Sequence, residues 1–168
     1  VNRALPAVRL RVPTDEDAVA WHRVFDHPEV MEFYGGRSAG LSVYEELTAR
    51  QRRHDAERGF CLWTVLDDTG RVIGFTGAQP WPQDWGPRGE IEIGWRLGRE
   101  HWGRGYVTAA ARLTLERVRA AGVPGVVAMV DSGNTRSIAV TRRLGMNLAE
   151  VFTTPVSQRE AHCYRLAL

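Results

Sequence analysis

The segment from Glu90 to Leu113, EIEIGWRLGREHWGRGYVTAAARL, constrains this chain more than any other. An apolar strand there gives way to a turn holding Gly103 and Gly105, and the turn opens directly into an alanine-rich helix. Glycine enters backbone regions closed to other residues and puts no Cβ in a ligand's way, so the main chain itself can touch what binds. A helix starting near Arg104 to Tyr106 has unpaired N–H groups in its first turn and the positive end of its dipole there. The combination is a candidate phosphate or pyrophosphate site, to which Thr108 adds a hydroxyl donor and Arg104 a mobile charge. The same glycines also read as plain turn residues, and local spacing alone does not choose between the two. The chain has no GxxxxGK[ST], and GRGY lacks the third glycine of a dinucleotide fingerprint, which weighs against nucleoside triphosphate and NAD binding.

With 168 residues and 43% apolar content, the chain reads as one globular domain over residues 1–168. All 22 basic residues are arginine, which excludes a lysine Schiff base or a P-loop lysine. The net charge of +2 implies no general polyanion-binding field. Arg50, Arg52, Arg53 and Arg58 alternate with Glu45, Glu46, Asp55 and Glu57, as on a solvated helix face, so nucleic acid is not the expected partner. Cys61 and Cys163 form no CxxC and read as buried thiols of a reducing compartment. The five histidines show no HxxxH or HExxH spacing, so no metal is expected. No apolar run reaches the ~18 residues of a membrane span and Val1 to Arg11 has no secretory apolar region, so the expected location is the cytoplasm.

The expected elements alternate in type. A strand at Val8–Val12 precedes a helix at Asp15–Phe25, capped by Thr14 with Asp17 at its third position. A short helix follows at His27–Tyr34, and Ser42 with Glu45 forms a capping box for a helix running to Arg58 and stopped by Gly59. Phe60–Leu66 and Arg71–Gln79 read as a hairpin, followed by a strand at Glu90–Leu97. Between them Pro80–Gly89 holds Trp81 and Trp85, a loop expected to cover a pocket. A helix at Arg104–Ala121, a strand at Val126–Val130, a helix at Thr135–Leu144 and strands at Leu148–Thr153 and His162–Ala167 complete the chain.

This order, with Glu92-Ile93-Gly94-Trp95, Trp102-Gly103-Arg104-Gly105-Tyr106-Val107-Thr108 and Asn134-x-x-Ser137 leading to Arg143-Leu144-Gly145-Met146, resembles the GNAT superfamily of N-acetyltransferases. With His27-Pro28-Glu29-Val30-Met31, it looks most like the branch of ribosomal-protein N-terminal acetyltransferases of the RimJ/RimL type. The resemblance implies an α/β (α+β) fold: a mixed, mostly antiparallel sheet flanked by helices, its fourth and fifth strands splayed around acetyl-CoA. It implies that backbone groups of Trp95, Arg96 and Leu97 hold the pantetheine arm. Trp102, Gly103, Arg104, Gly105, Tyr106, Val107 and Thr108 would meet the pyrophosphate, with Asn134 farther in. The implied partners are acetyl-CoA and an amine acceptor, chiefly a protein N-terminal α-amine, with a polyamine, aminoglycoside or amino acid as the alternative. A homodimer is also implied. A chain that keeps the cleft but has lost turnover is a further alternative.

Two positions depart from the family pattern. Val107 stands where glycine or alanine is common, and its side chain must turn toward the core for a ligand to reach its amide. Thr141 stands where many members have a tyrosine acid, which leaves Ser137 as the candidate donor to the departing sulfur; otherwise Ser137 bonds its own helix backbone. Transfer needs a neutral amine, and an α-amine at about 7.7–8.0 is easier to deprotonate than a lysine at about 10.4, by about 3 kcal/mol. Glu92 is the candidate base, acting through a water, provided that burial against neighbours such as the loop tryptophans raises its pKa. Glu90 and a water wire are its rivals, and Glu29 and Glu32 are candidates for binding a cationic acceptor. Trp81, Trp85, Phe33 and Tyr34 are candidate pocket walls.

Overall fold

The computed structural model describes residues 4–168; residues 1–3, part of the Val1–Arg11 window, lie outside the described residues. Seven strands form one sheet in the order β1-β2-β3-β4-β5-β7-β6. They are β1 (Arg9–Arg11), β2 (Leu62–Leu66), β3 (Val72–Pro80), β4 (Ile91–Leu97), β5 (Gly125–Asp131), β6 (Asn147–Thr153) and β7 (Glu160–Ala167). Every neighbouring pair is antiparallel except β4 with β5, so the sheet is mixed and mostly antiparallel as expected.

The α-helices are α1 (Asp15–Val24), α2 (Pro28–Met31), α3 (Leu41–Arg58), α4 (Tyr106–Ala120) and α5 (Thr135–Arg143). Thr14 and Asp17 close the expected capping box on α1: Asp17 N–H donates to Thr14 Oγ1 at 3.3 Å and Thr14 N–H to Asp17 Oδ2 at 2.9 Å. The expected Ser42 box does not form. Helix α3 begins at Leu41 behind an extended Gly40, so Ser42 is already inside the helix. Helix α2 is one turn behind a His27 cap, shorter than the His27–Tyr34 expected, because Gly35 and Gly36 take positive φ and turn the chain.

The main core joins α4, through Ala110, Leu115 and Val118, to Val65, Ile73, Ile93 and Val126 of the sheet. A second cluster on Trp21, Phe25, Tyr44, Leu62 and Phe75 lies under α1 and α3. Gly74, with φ +154°, lets β3 and β4 meet, since a Cβ there would stand 2.1 Å from the Arg96 carbonyl oxygen.

Candidate active site

The sheet divides between β4 and β5. The two strands share a single paired position, Glu92 with Val127, and beyond it Ile93–Leu97 keeps β3 on one edge and, among the described residues, no strand on the other. The V expected of the fourth and fifth strands therefore opens at Glu92. Two adjoining cavities occupy it, an outer cleft of about 680 Å³ and an inner one of about 450 Å³. Phe33, Tyr34, Trp95, Arg96, Asn134 and Ser137 line both.

The outer cleft reaches the glycine turn. Gly105 takes φ +85° as the N-cap of α4 and, having no side chain, leaves the first-turn amides of the helix uncapped. A Cβ on Gly105 would press on Leu5 and Pro6 at 3.3 and 3.2 Å, whereas Gly103 faces open space. Gly103, Gly105, Tyr106, Val107 and Thr108 all line the cleft, as do Arg112, Arg136 and Arg143. Arg104, the predicted mobile charge, is exposed and stands outside the cleft lining, whereas arginines of α4 and α5 lie within it. Trp102 donates its indole N–H to the Leu97 carbonyl at 3.0 Å and lies 3.8 Å below the Arg136 guanidinium, a cation–π contact. Val107 is half-buried, packed on the main core while lining the cleft.

At the inner end Gln79 donates to Glu92 Oε1 at 2.8 Å, across the β3–β4 pair that sets them opposite. Behind it, buried Gln51 donates to Gln79 Oε1 at 2.8 Å and accepts from the Leu62 N–H at 2.8 Å. Both amides are thereby fixed. Burial raises Glu92 to about 7, partly countered by the Gln79 hydrogen bond. The expected tryptophan wall is not its cause. Trp81 donates to the Trp85 carbonyl, its ring meets Trp85 edge-on, and Trp85 meets Phe152 of β6, so the loop folds on itself and lines neither cavity. Phe33 and Tyr34, the other two candidate walls, do line both cavities.

The rival carboxylates are placed elsewhere. Glu90 pairs with Arg165 and, like Glu32, lines neither cavity; Glu29 lines the outer cleft, where it pairs with Arg99 at 3.3 Å, away from Glu92. Ser137 Oγ accepts the Trp95 indole N–H at 3.1 Å, which leaves its own O–H free to donate. Asn134 caps α5 by accepting from the Ser137 N–H at 3.3 Å. Thr141 is buried and donates to the Ile138 carbonyl at 2.6 Å, so its hydroxyl serves its own helix.

Burial pushes the Cys61 thiol up to about 12 and Cys163 to about 11. Among the described residues no group of three or more His, Cys, Asp or Glu side chains could hold a metal ion, and no helix is long and apolar enough to cross a membrane. Sequence reasoning missed Gln51, Gln79, the side chains of Trp95 and Arg96, and the cleft arginines. Arg136 and Arg143 lie within motifs already singled out, but carried no role there. Gln79 carried no local signal, because its relation to Glu92 exists only through strand register.

The profile of the acetyltransferase (GNAT) domain matches residues 7–147. An uncharacterized protein of Bacillus subtilis, YkkB, is 32% identical over 165 residues, covering 94% of this chain and 93% of its own. An L-methionine sulfoximine/L-methionine sulfone acetyltransferase of Pseudomonas aeruginosa is 31% identical over 133 residues, covering 75% of this chain and 77% of its own. A putative acetyltransferase of Salmonella typhimurium, solved with its cofactor acetyl-CoA, shares the fold with a TM-score of 0.74 at 18% identity, over 96% and 94% of the two chains. The chain belongs to the GNAT acetyltransferase family and is an acyltransferase.

Proposed function

We propose that this enzyme moves an acetyl group from acetyl-CoA directly onto a primary amine, with Glu92 as base and Ser137 as hydrogen-bond donor to the departing sulfur. The observation that carries this reading is the placing of Glu92 and Ser137 on one cavity at the point where β4 and β5 part, with Ser137 shared by the outer cleft. The fit of acetyl-CoA is supported by the uncapped α4 amides, the open space at Gly103 and the helix arginines Arg112, Arg136 and Arg143 along the same cleft. The free edge of Trp95, Arg96 and Leu97 offers backbone groups to an extended arm. Val107, Thr108 and Asn134 belong to the same binding surface, and Trp102 carries Arg136 above it.

In this reading Glu92, at about 7, takes a proton from the acceptor ammonium through a water. The neutral amine then forms the C–N bond as the C–S bond breaks, and Ser137 donates to the sulfur. Cys61 and Cys163 stay protonated near neutrality and form no acyl-enzyme. The acceptor is an α-amine, whose deprotonation a base of this strength manages with least assistance. A protein N-terminus and a small amine both satisfy that requirement: the first follows from the resemblance to the RimJ/RimL branch, the second is favoured by a small inner cavity and by the substrates in the Pseudomonas enzyme's name. The residues form one acetyltransferase domain acting in the cytoplasm, and the family resemblance supports a homodimer.

Thiol release from acetyl-CoA, followed with a mixed panel of N-terminal peptides and small amines, tests the reading. Release that requires an acceptor supports it. Acetyl-CoA binding without release over the whole panel, or acetylated cysteine after incubation with acetyl-CoA alone, overturns it.

A further inference from the structure

Arg96 is the unusual charge of the inner cavity. It makes no ion pair among the described residues, and its Nε is buried with no hydrogen-bond partner. The guanidinium lies 4.0 Å from the ring centre of Tyr34, 5.2 Å from that of Phe25 and 5.3 Å from that of Phe75, with Met31 Sδ 4.0 Å from one Nη. Aromatic faces, together with the neutral Tyr44 hydroxyl hydrogen-bonded to the guanidinium, hold the cation in place without neutralising it. A half-buried charge in that state is an anion site awaiting its partner, since lost hydration is repaid only when an opposite charge arrives.

Its position relative to Glu92 specifies that partner. Strand alternation sets Glu92, Gly94 and Arg96 on one face of β4, about 13 Å from end to end at 3.3 Å per residue. A Cβ on Gly94 would meet nothing within 4 Å, so the space between the carboxylate and the guanidinium is open. The remaining charges on this cavity favour an anion. Asp131 is engaged by Arg159 through bonds of 2.6 and 3.0 Å, while Arg50 stands exposed at the rim with no ion pair among the described residues. Met31, Val43 and Leu47 supply an apolar wall. A polyamine or an aminoglycoside would meet two unneutralised arginines, which is repulsive.

We propose that Arg96 binds a carboxylate of the acceptor, and that the acceptor is a free amino acid with its α-amine toward Glu92 and an apolar side chain against Met31, Val43 and Leu47. The proposal rests on the acetyl-transfer reading above. It selects the free amino acid over the N-terminus of a protein, whose first residue carries an amide where the amino acid carries its acid.

The test compares the free amino acids with their carboxamides, their decarboxylated amines, short peptides and polyamines, by thiol release from acetyl-CoA. The expected result is a kcat/KM for an apolar amino acid roughly 10- to 100-fold above that of its own carboxamide. Arg96→Gln lowers the acid to the level of the carboxamide through KM, and Arg96→Lys retains part of the difference; melting curves of both verify folding. Carboxamides, peptides or polyamines equalling the acids, or Arg96→Gln lowering acid and carboxamide alike, overturns the proposal and leaves acetyl transfer standing. No release with any acceptor overturns acetyl transfer itself. Calorimetry of N-acetylated amino acids against their amides, on the protein with CoA, then decides the carboxylate site alone: equal or absent binding overturns it, and carboxylate-dependent binding lost in Arg96→Gln upholds it.

Discussion

The glycine turn of the outer cleft and the carboxylate end of the inner cavity meet at Ser137, yet they are assembled in different ways. Residues 103–108 make their half from consecutive backbone: two left-handed glycines, one uncapped helix start and a dipole. The inner half takes Gln51 from α3, Gln79 from β3, Glu92 from β4 and Ser137 from α5. A local device tolerates change elsewhere in the fold, whereas a composite one depends on strand register and on how each helix sits. The first holds through main-chain groups, which a substitution disturbs only by shifting the backbone or, with proline, by removing an N–H. The second works by tuning one carboxyl group.

That contrast breaks most visibly at Glu92. Glu92→Gln is expected to lower kcat by about 10²–10⁴ and to abolish the rise of rate with pH through about 7 that the wild type shows as the carboxylate forms. Stability moves the other way. The folded value of about 7 lies above the ordinary 4.5, so the folded protein holds a proton that the unfolded chain releases, and stability falls as pH rises between these two values. Above pH 7 the glutamine variant is expected to be more stable by up to about 3 kcal/mol, measured by denaturant melts at pH 5 and pH 8.

Next in size is the turn. Gly105→Ala forces a side chain into left-handed backbone and against Leu5 and Pro6, at a cost of about 1–2 kcal/mol. Calorimetry should show acetyl-CoA binding about tenfold weaker, with the acceptor preference unchanged; a changed preference would mean that the two halves are coupled.

At their meeting point the effects are smaller. Ser137→Ala and Trp95→Phe are each expected to lower kcat by roughly three- to tenfold. Because Trp95 acts on Ser137 through one hydrogen bond, the double variant should resemble Ser137→Ala instead of multiplying the losses. Full additivity in that cycle would assign Trp95 a separate role.

The smallest effect sharpens the tuning argument. Gln79→Met removes the donor that lowers Glu92, so the acid limb of the rate profile should move upward by less than about one pH unit. A downward movement would show that the amide orients Glu92 without stabilising its charge.

The glycine turn, the caps at Thr14 and Gly59 and the order of elements were legible because each depends on neighbours within a few residues. The Ser42 box failed because the same signal sits as well inside a first turn as before it. The tryptophan wall failed for a different reason: Trp81 and Trp85 found each other and Phe152, and composition cannot say which aromatic partners meet. Glu92 was a candidate on motif grounds, but the burial that gives it a useful pKa comes from the cavity and its tempering from Gln79, thirteen positions away in sequence and opposite in register.

By itself, then, the sequence determined a strand, a glycine turn and a helix start that present backbone donors, because φ/ψ freedom and helix ends are local properties. Only the tertiary structure decided which charges remain unneutralised around the inner cavity. Arg96 looked like one of 22 arginines until packing surrounded it with three aromatic rings and, among the described residues, no ion-pair partner. Burial and pairing are set by residues far apart in the chain, and they exist only once the strands have found their register.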